Sequence, residues 1–487
     1  MTTSAPTKST SPLIAGGHLR RRPASDRAVK TLPVEDPGTG RSIGAVPDAT
    51  PADCMAALDA AERAFPGWAG TPARQRSRVL RRAADLLLDD VDRIARTLSL
   101  ESGKPLAEAR EEVSVAAEYL EWSAEEAVRI SGRIDEHPEG GCEFVVRRRP
   151  VGPCLIVSPW NFPLAIPARG VGPALAAGCT VVLRAGEAAP LSTFGLAETL
   201  SAAGLPEGCL SVVASSDPAA TDPLLADRRL AKLTFTGSPR VGAHLLRLAA
   251  AQALRATAEL GGNAPALVFA DADLEAAAEA VAAAKCRNAG QACTAANRIY
   301  VERSIAEGFA TRLAQRLASL RPGHGTDPEA DIGPMISAAS VERLRGLVED
   351  ALARGARVVL PGGPLEGPGH FFAPVVLADV PADARVMREE IFGPIAAIAA
   401  FDSEAQAIEL ANSSDMGLAG YVMSGDRARA VRVAGALEAG MVGINTGRVS
   451  CAAAPFGGVK GSGYGRSGGR EGIDEYLETS YMAIAEG

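Results

Sequence analysis

The chain has 487 residues, of which 47% are hydrophobic and 22% charged, and its formal net charge at pH 7 is −8. The composition is ordinary for a globular protein, and the length exceeds what one hydrophobic core usually supports, so we expect two or three domains. The acidic balance without a basic face argues against nucleic-acid binding. No apolar run reaches the ~18 residues that span a membrane. The eight cysteines are scattered without a CxxC motif, which disfavours a structural zinc site or a disulfide framework and favours the reducing cytoplasm.

The first 150 residues divide into three parts. Residues 1–28 are rich in Ser, Thr, Pro and Gly, and we expect a flexible tail there; the alternative is a transit peptide, because organellar targeting segments are basic, hydroxyl-rich and acid-poor. From Pro51 to about Ile130 the pattern is helical, and Thr71-Pro72 predicts a helix start with Thr71 as the N-cap. Residues 133–149 instead predict an extended ribbon at a sheet edge, which needs a partner strand.

Beyond residue 150, short apolar runs alternate with helical patterns, which is the rhythm of doubly wound parallel sheets. The predicted strands of the first series are Leu155–Val157, Thr180–Leu183, Leu210–Val213 and Leu233–Phe235. Those of the second series are Ala266–Phe269, Arg298–Val301, Arg357–Leu360, Ile395–Ile398 and Met441–Ile444. The chain is therefore expected to have an α/β fold with two doubly wound, Rossmann-like domains that meet near Gly261-Gly262.

The domain limits follow from these series. The first domain comprises residues 29–130 and 151–261, and the second comprises residues 262–454. Residues 131–150 and 455–487 are expected to form a small β element for bridging and oligomerisation. In it, a terminal strand over Tyr476–Tyr481 pairs with the ribbon of the same subunit or of another.

A glycine-spaced loop, Phe235-Thr236-Gly237-Ser238-Pro239-Arg240-Val241-Gly242, lies between a predicted strand and an amphipathic helix. Such a loop favours phosphate binding at the helix N-terminus. Its spacing differs from the GxGxxG dinucleotide fingerprint, so glycines that merely form the turn are the alternative.

Three polar residues could carry covalent chemistry. Cys293 follows a helix predicted over 274–287 that Gly290 ends as a left-handed cap, Glu259 precedes two glycines, and Asn161 lies in the stiff loop Pro159–Pro163 after a strand. A soft nucleophile and a carboxylate base suffice to form and hydrolyse a thioester, and an asparagine amide can stabilise an oxyanion. The alternatives are an inert core cysteine, a capping carboxylate and an asparagine bound to loop backbone. A nucleotide cradle beside a thiol favours oxidation of a carbonyl compound.

These motifs resemble the aldehyde dehydrogenase superfamily from about residue 30 to residue 483. The matching segments are Glu101-Ser102-Gly103-Lys104-Pro105, Pro159–Pro163, Phe235–Gly242, Glu259–Gly262, Gly290–Thr294, Glu389–Pro394 and Pro455–Lys460. The resemblance implies that Cys293 is the nucleophile, that Glu259 activates the hydrolytic water, and that Asn161 and the Cys293 backbone N–H stabilise the oxyanion. It also implies that the dinucleotide is held by Trp160, Arg184, Glu187, Gly237, Ser238, Gly242, Glu390 and Phe392. No metal site is expected.

Within the superfamily the sequence is most similar to the succinate-semialdehyde dehydrogenases. Arg169 and Arg287 match the two arginines that hold the substrate's distal carboxylate there, and Ser450 matches the serine that completes the pocket. A guanidinium fork suits a carboxylate; alternatively, Arg287 pairs with carbonyls at its helix end and Arg169 belongs to a scaffold ion pair. The other functional readings are a dehydrogenase for another carboxy-aldehyde or a neutral aldehyde, or a catalytically silent binding protein on the same fold.

Glu187 decides the expected cofactor. The subfamily usually has Lys-Pro where Arg184-Ala185 stands here, and an arginine can still reach a ribose hydroxyl. A carboxylate beside the adenine ribose accepts from a free 2′-hydroxyl and repels a 2′-phosphate. We therefore predict NAD, with NADP as the alternative, a small-molecule aldehyde as substrate, and a homodimer or homotetramer assembled through the ribbon and the terminal strand.

Overall fold

The structure, a computed structural model, describes residues 14–15, 18–19 and 30–485. The tail predicted over residues 1–28 lies outside these ranges, apart from the short strands β1 (Ile14–Ala15) and β2 (His18–Leu19). A hairpin of β3 (Thr31–Asp36) and β4 (Arg41–Pro47) comes next.

The predicted helical stretch is confirmed by four helices, α1 (Pro51–Ala69), α2 (Ala73–Asp89), α3 (Val91–Ser102) and α4 (Leu106–Ala127). Helix α1 begins with a capping box, in which Thr50 and Asp53 satisfy each other's backbone N–H groups. The predicted cap at Thr71 is wrong, because Pro72 occupies the N-cap position of α2. The Thr71 hydroxyl instead donates to the Gly67 carbonyl at 2.9 Å, which helps to close the end of α1.

The first large sheet follows the ribbon strands β5 (Arg133–Glu136) and β6 (Cys142–Pro150). Its elements are β7 (Cys154–Val157), α5 (Ala165–Ala177), β8 (Val181–Arg184), α6 (Leu191–Ala202), β9 (Leu210–Val213), α7 (Asp222–Leu225), β10 (Lys232–Thr236), α8 (Pro239–Ala251) and β11 (Arg255–Glu259). The strands β9-β8-β7-β10-β11 are parallel neighbours in that order. The chain places β8 and β9 on one side of β7 and then β10 and β11 on the other, so the strand order reverses between β7 and β10.

Both faces of this sheet are covered by helices. Leu155, Val182 and Leu233 pack with α1 and α8 on one face, and Ile156 and Val181 pack with α2 to α6 on the other. Burial on both faces explains why these strands consist of continuous apolar runs, which made them predictable.

The second large sheet comes from the following part of the chain. Its elements are β12 (Ala264–Val268), α9 (Leu274–Cys286), a 3₁₀ turn (Arg287–Gly290), β13 (Ala296–Glu302), a 3₁₀ turn (Arg303–Ile305), α10 (Ala306–Ala318), α11 (Ala338–Ala353), β14 (Arg357–Leu360), β15 (Gly363–Pro364), β16 (Phe372–Ala373), β17 (Val375–Ala378), α12 (Arg385–Arg388), β18 (Ile395–Phe401), α13 (Glu404–Asn412), β19 (Met416–Gly417), β20 (Ala419–Met423), α14 (Arg427–Ala436) and β21 (Met441–Ile444). The strand order is β14-β17-β18-β13-β12-β20-β21.

Two features of these sheets depart from the sequence prediction. Strand β14 was expected to be parallel but pairs antiparallel with β17, because the short hairpin β15–β16 joins them without a crossover helix. Strands β11, β17 and β20 are not predicted. In β11 and β20 the local signal is weak, since β11 carries charged residues at both ends and β20 opens with Ala-Gly.

The C-terminal segment contributes β22 (Val459–Lys460), β23 (Gly463–Tyr464), α15 (Glu471–Asp474) and β24 (Leu477–Ala485). Strand β23 lies antiparallel beside β11, and β24 pairs antiparallel with the ribbon strand β6 of the same chain. Strands β24, β6 and β5 thus form a separate three-stranded sheet. None of the helices in the described ranges combines the length and the apolar character needed to cross a bilayer. The domain limits given above stay a prediction.

The two large sheets meet where the chain passes from one to the other. It leaves β11 at Glu259 and enters β12 at Ala264, so the carboxyl edge of the first sheet lies next to the amino edge of the second. Open α/β sheets bind ligands outside the carboxyl ends of their strands, at the point where the strand order reverses. Here that point lies between β7 and β10.

Candidate active site

A sharp turn presents Cys293 at the amino edge of the second sheet. Helix α9 ends at Cys286, earlier than predicted, and Asn288, Ala289 and Gly290 follow with φ of 53°, 54° and 75°. A Cβ on Gly290 would lie 2.4 Å from the carbonyl oxygen of Gly393, so this position requires glycine. Two non-glycine residues in the left-handed region mark a strained turn that the surroundings must hold in place.

Asn161 helps to hold that turn. The side-chain amide of Asn288 donates to the Asn161 carbonyl at 2.9 Å, and the Asn161 amide nitrogen donates to the Gln291 carbonyl at 3.0 Å. An amide nitrogen carries two hydrogens, so one donor of Asn161 is left for a ligand. Asn161 is thus hydrogen-bonded to the turn that leads to Cys293, although 131 residues lie between the two in the chain.

Glu259 reaches the same place from the end of β11. Its backbone is in register with Thr236 of β10, and its carbonyl accepts from the Gly237 N–H at 3.0 Å. A Cβ on Gly262 would lie 2.4 Å from the carbonyl oxygen of Cys293. The glycines after Glu259 therefore let the carboxylate segment pass directly against the cysteine segment.

Burial controls the protonation of this pair. It raises the pKa of the Cys293 thiol to about 11, and the positive charge of Arg169 opposes that rise. Burial likewise raises the pKa of the Glu259 carboxyl to about 7, again opposed first by Arg169. A carboxyl with a pKa near neutrality is suited to accept a proton and release it again at physiological pH. Arg169 is the charge that acts on both groups.

The two predicted substrate arginines flank this centre. Arg169, in α5, has a side chain 4.0 Å above the ring of Phe456 and is buried, yet its Nη2 has no hydrogen-bond partner among the described residues. Arg287 lies 4.9 Å above the ring of Phe162. Ser450 is half-buried in the loop that follows β21, and no hydrogen bond joins it to either arginine within residues 30–485. Each arginine thus lies over an aromatic ring, and the Tyr119 hydroxyl also bonds to Arg169. Within residues 30–485 Arg169 has no ion pair of the kind that was its alternative role.

Pro167 and Gly170, which flank Arg169, both fit helix α5. Pro167 lies in the first turn of α5, where a missing N–H is tolerated. A Cβ on Gly170 would come within 3.2 Å of Ile156, so the glycine lets α5 lie close to β7.

Several predicted dinucleotide residues border the crevice at the reversal point. The rings of Trp160 and Phe392 meet edge to face at 5.8 Å, and the Glu390 carboxylate accepts from the Gly262 N–H at 3.1 Å. Burial raises the pKa of Glu390 to about 7. A Cβ on Gly261 would lie 2.7 Å from a Glu390 carboxylate oxygen, so a larger residue there would displace the Glu390 side chain.

The glycine-spaced loop begins α8 as expected. Ser238 is the N-cap, and its hydroxyl accepts from the Val241 N–H at 3.4 Å. A Cβ on Gly242 would lie 2.5 Å from Leu260, which fixes the approach of α8 to the end of β11. Gly237 follows β10 and has the ring of Phe235 against it.

Glu187 and Arg184 differ in their surroundings, although both lie at the end of β8. Glu187 is exposed. The guanidinium of Arg184 is buried and donates to the carbonyls of Pro218 and Asp217 at 2.7 and 3.0 Å. Arg184 therefore anchors the loop after β9.

Known proteins share both the sequence and this architecture. A model of the family described as "Aldehyde dehydrogenase family" matches residues 24–482. The chain belongs to the aldehyde dehydrogenase family. It is 49% identical to the succinate-semialdehyde dehydrogenase of Paenarthrobacter nicotinovorans over 445 residues, which cover 91% of this chain and 99% of the relative.

Two further proteins show the spread of the resemblance. The glutarate-semialdehyde dehydrogenase of Pseudomonas putida is 43% identical over 456 residues, which cover 94% of this chain and 95% of the relative. A crystal structure described as an E. coli NADP-dependent enzyme is 44% identical, with a TM-score of 0.92 over 94% of this chain and 95% of that one. The predicted family and fold are confirmed, and members of this family use NAD(P).

Sequence reasoning missed two residues of this aldehyde dehydrogenase site. Lys104 forms a buried ion pair with Glu112 and donates to the Asn161 carbonyl at 2.9 Å. Ser467 donates to a Glu259 carboxylate oxygen at 3.3 Å. Lys104 lies in a segment that matched the family, but Ser467 lies in a glycine-rich stretch where the sequence gives no sign of a contact with Glu259.

Proposed function

We propose that this protein oxidises an aldehyde that carries a distal carboxylate, with succinic semialdehyde as the substrate and NAD as the hydride acceptor. The observation that carries the proposal is Arg169, which is 6% exposed, has an Nη2 without a partner among the described residues, and acts electrostatically on both the thiol and the carboxylate. A buried guanidinium donor without a partner is costly. A carboxylate of the substrate would satisfy it.

The first half of the reaction uses Cys293 and Asn161. The Cys293 thiolate attacks the aldehyde carbon, and the oxygen that becomes negative accepts hydrogen bonds from the Asn161 amide and the Cys293 backbone N–H. Because its pKa is raised, the thiol must first give its proton to solvent water at the site. Arg169 favours the thiolate, because its positive charge opposes the effect of burial.

The residues at the reversal point between β7 and β10 fit a dinucleotide. Ser238 caps a helix whose N-terminus lies at the carboxyl edge of the sheet, a place suited to phosphate, and Trp160, Phe392 and Glu390 border the crevice. The bound dinucleotide supplies the hydride acceptor. Glu187 is exposed in the turn after the neighbouring strand β8. Its carboxylate there would accept a hydrogen bond from a ribose 2′-hydroxyl and repel a 2′-phosphate, so we assign NAD rather than NADP.

The second half of the reaction uses Glu259. Loss of hydride converts the adduct on Cys293 into a thioester, which water then cleaves to the carboxylate product. The Glu259 carboxylate accepts a proton from that water, and its pKa of about 7 suits this role at neutral pH. The thiol of Cys293 is regenerated with the product.

A turnover panel tests the proposal. Succinic semialdehyde, glutaric semialdehyde and the neutral butanal are each assayed with NAD and with NADP, and the Cys293→Ala variant serves as the blank. We expect the highest kcat/KM for succinic semialdehyde with NAD, and no NADH formation by the variant. A preference for butanal would argue against the carboxylate site, and absence of both NADH and NADPH with every aldehyde would favour a catalytically silent protein.

Glutaric semialdehyde is the second candidate substrate. The relative from Pseudomonas putida named for it is 43% identical, and both aldehydes present a carboxylate to the same two arginines. The two substrates differ by one methylene, which is worth roughly 1–3 kcal/mol in a fitted pocket. The panel above distinguishes them by the ratio of kcat/KM values.

We also propose that the protein is a homodimer or homotetramer in the cytoplasm. The three-stranded sheet exposes large apolar side chains, with Ile134 and Tyr481 exposed by 66% and 68%. Exposed apolar side chains on a sheet favour a protein partner, and a second copy of the chain supplies a symmetric one. The eight cysteines are all unpaired thiols, which fits a reducing compartment. Light scattering of the purified protein tests the assembly.

A further inference from the structure

The carboxylate of Glu259 has an asymmetric environment. The Ser467 hydroxyl donates to Oε1 at 3.3 Å. Within residues 30–485 no other group hydrogen-bonds to this carboxylate, and Oε2 is buried without a partner. One oxygen is therefore held, and the other is left to take a proton.

The position of Ser467 is fixed by its backbone rather than by its hydroxyl. Ser467 forms an isolated antiparallel bridge with Phe456, in which the Ser467 N–H donates to the Phe456 carbonyl at 2.8 Å and the Phe456 N–H donates back at 2.7 Å. The ring of Phe456 lies under the guanidinium of Arg169 at 4.0 Å. Ser467 thus touches Glu259 through its side chain and supports Arg169 through its backbone partner.

We propose that Ser467 is a positioning residue that holds Oε1 of Glu259, so that Oε2 accepts the proton from the water that cleaves the thioester. The bridge to Phe456 keeps this oxygen in a constant relation to Arg169, and hence to a substrate whose carboxylate binds there. The inference rests on the proposed function, because it assigns Glu259 the role of base. It goes further by naming the group that orients the base.

The charges around Glu259 give the direction of the pH effect. Burial raises the pKa of Glu259, whereas Arg169, the Ser467 hydrogen bond and Arg466 lower it, and Glu475 raises it. The nearby Cys293 thiol is neutral at neutral pH. Loss of the Ser467 hydroxyl removes one stabilising contact with the charged form, so the pKa of Glu259 should rise further.

The Ser467→Ala variant tests the proposal in pre-steady-state and steady-state assays of NADH formation. We expect the burst that reports thioester formation to keep its rate, while steady-state turnover falls ~3–10-fold, as for the loss of one ordinary hydrogen bond, because the contact is long at 3.3 Å. The acidic limb of the turnover profile should move to higher pH. Ser467→Thr, which keeps the hydroxyl, should restore the wild-type limb. Ser211→Ala removes a buried hydroxyl that has no partner in the described chain and should leave both phases unchanged.

The outcomes separate this inference from the function on which it rests. An unchanged acidic limb and unchanged turnover in Ser467→Ala would overturn the positioning role, as would an equal loss of burst and turnover. Failure of Ser467→Thr to restore the limb, at an unchanged melting temperature, would also overturn it. If the wild type gives neither burst nor turnover with any aldehyde, the proposed function itself fails. If Glu259→Gln abolishes turnover while Ser467→Ala does not alter it, the function stands and the inference falls.

Discussion

Replacement of Arg287 by glutamine should separate charge recognition from catalysis. Arg287 is half-buried above the ring of Phe162, and its charge reaches the thiol more weakly than that of Arg169. The substitution therefore removes a contact with the substrate carboxylate and has little effect on the reacting groups. Arg169 is the less suitable site, because its charge also shifts the pKa of Cys293 and of Glu259.

The magnitude follows from the type of contact that is lost. A hydrogen bond to a charged group contributes about 1.5–3 kcal/mol, which corresponds to roughly 10–150-fold in rate. We expect kcat/KM for succinic semialdehyde to fall by this factor in Arg287→Gln. For butanal, which has the same chain length without the carboxylate, kcat/KM should change by less than about twofold, since no charged contact is lost.

The assay is initial NADH formation with both aldehydes at saturating NAD, and the readout is the ratio of their kcat/KM values. Arg429→Gln is the matched control: Arg429 also lies over a ring, that of Phe269, at 5.3 Å, but at the opposite edge of the second sheet. The control should leave the ratio unchanged. An equal loss on both aldehydes in Arg287→Gln would refute the reasoning and assign the arginine to the scaffold.

Three other predictions concern the base Glu259, the ion pair of Lys104 next to the oxyanion donor, and the close contact of Gly262 with the nucleophile. Turnover should fall as the pH drops below about 7, because protonated Glu259 cannot accept a proton, and a pH profile without an acidic limb near that value would contradict its assignment as the base. Lys104→Met should lower the free energy of unfolding by about 3–5 kcal/mol in urea, because it leaves Glu112 charged and buried without its partner; addition of Glu112→Gln should recover much of the loss. Gly262→Ala should abolish turnover, because its Cβ would lie 2.4 Å from the nucleophile's carbonyl oxygen. Gly195→Ala, inside α6 with nothing within 4 Å of the added carbon, should keep activity and stabilise the fold by roughly 0.5–1 kcal/mol, and similar behaviour of the two variants would refute the close contact.

The parts of the fold that the sequence predicts are those in which local pattern and burial agree. Leu210–Val213 and Met441–Ile444 were predicted with the observed bounds, because each is a short, mostly apolar run that follows a helix. Strand β20 was not predicted, because its first residues have a weak preference for strands. Pairing with β12 on one side and β21 on the other holds it in the sheet. Tertiary packing decides such segments.

The motifs likewise predicted some parts of the candidate site and not others. The motifs indicated Cys293, Glu259 and Asn161, and the structure brings their segments together through the left-handed turn and the glycine contacts. The hydrogen bond of Ser467 joins residues 208 positions apart, and no local pattern encodes such a contact. The turn at Asn288 and Ala289 also departs from prediction, because residue type alone favours glycine where φ is positive.

The covalent intermediate is the most direct test of the whole account. Glu259→Gln, mixed with succinic semialdehyde and NAD, should form the thioester but hydrolyse it slowly, so that intact-protein and peptide mass spectrometry find a succinyl group on Cys293 in step with one burst of NADH. An NADH burst with an unmodified Cys293, or an acyl group on another residue, would contradict the mechanism.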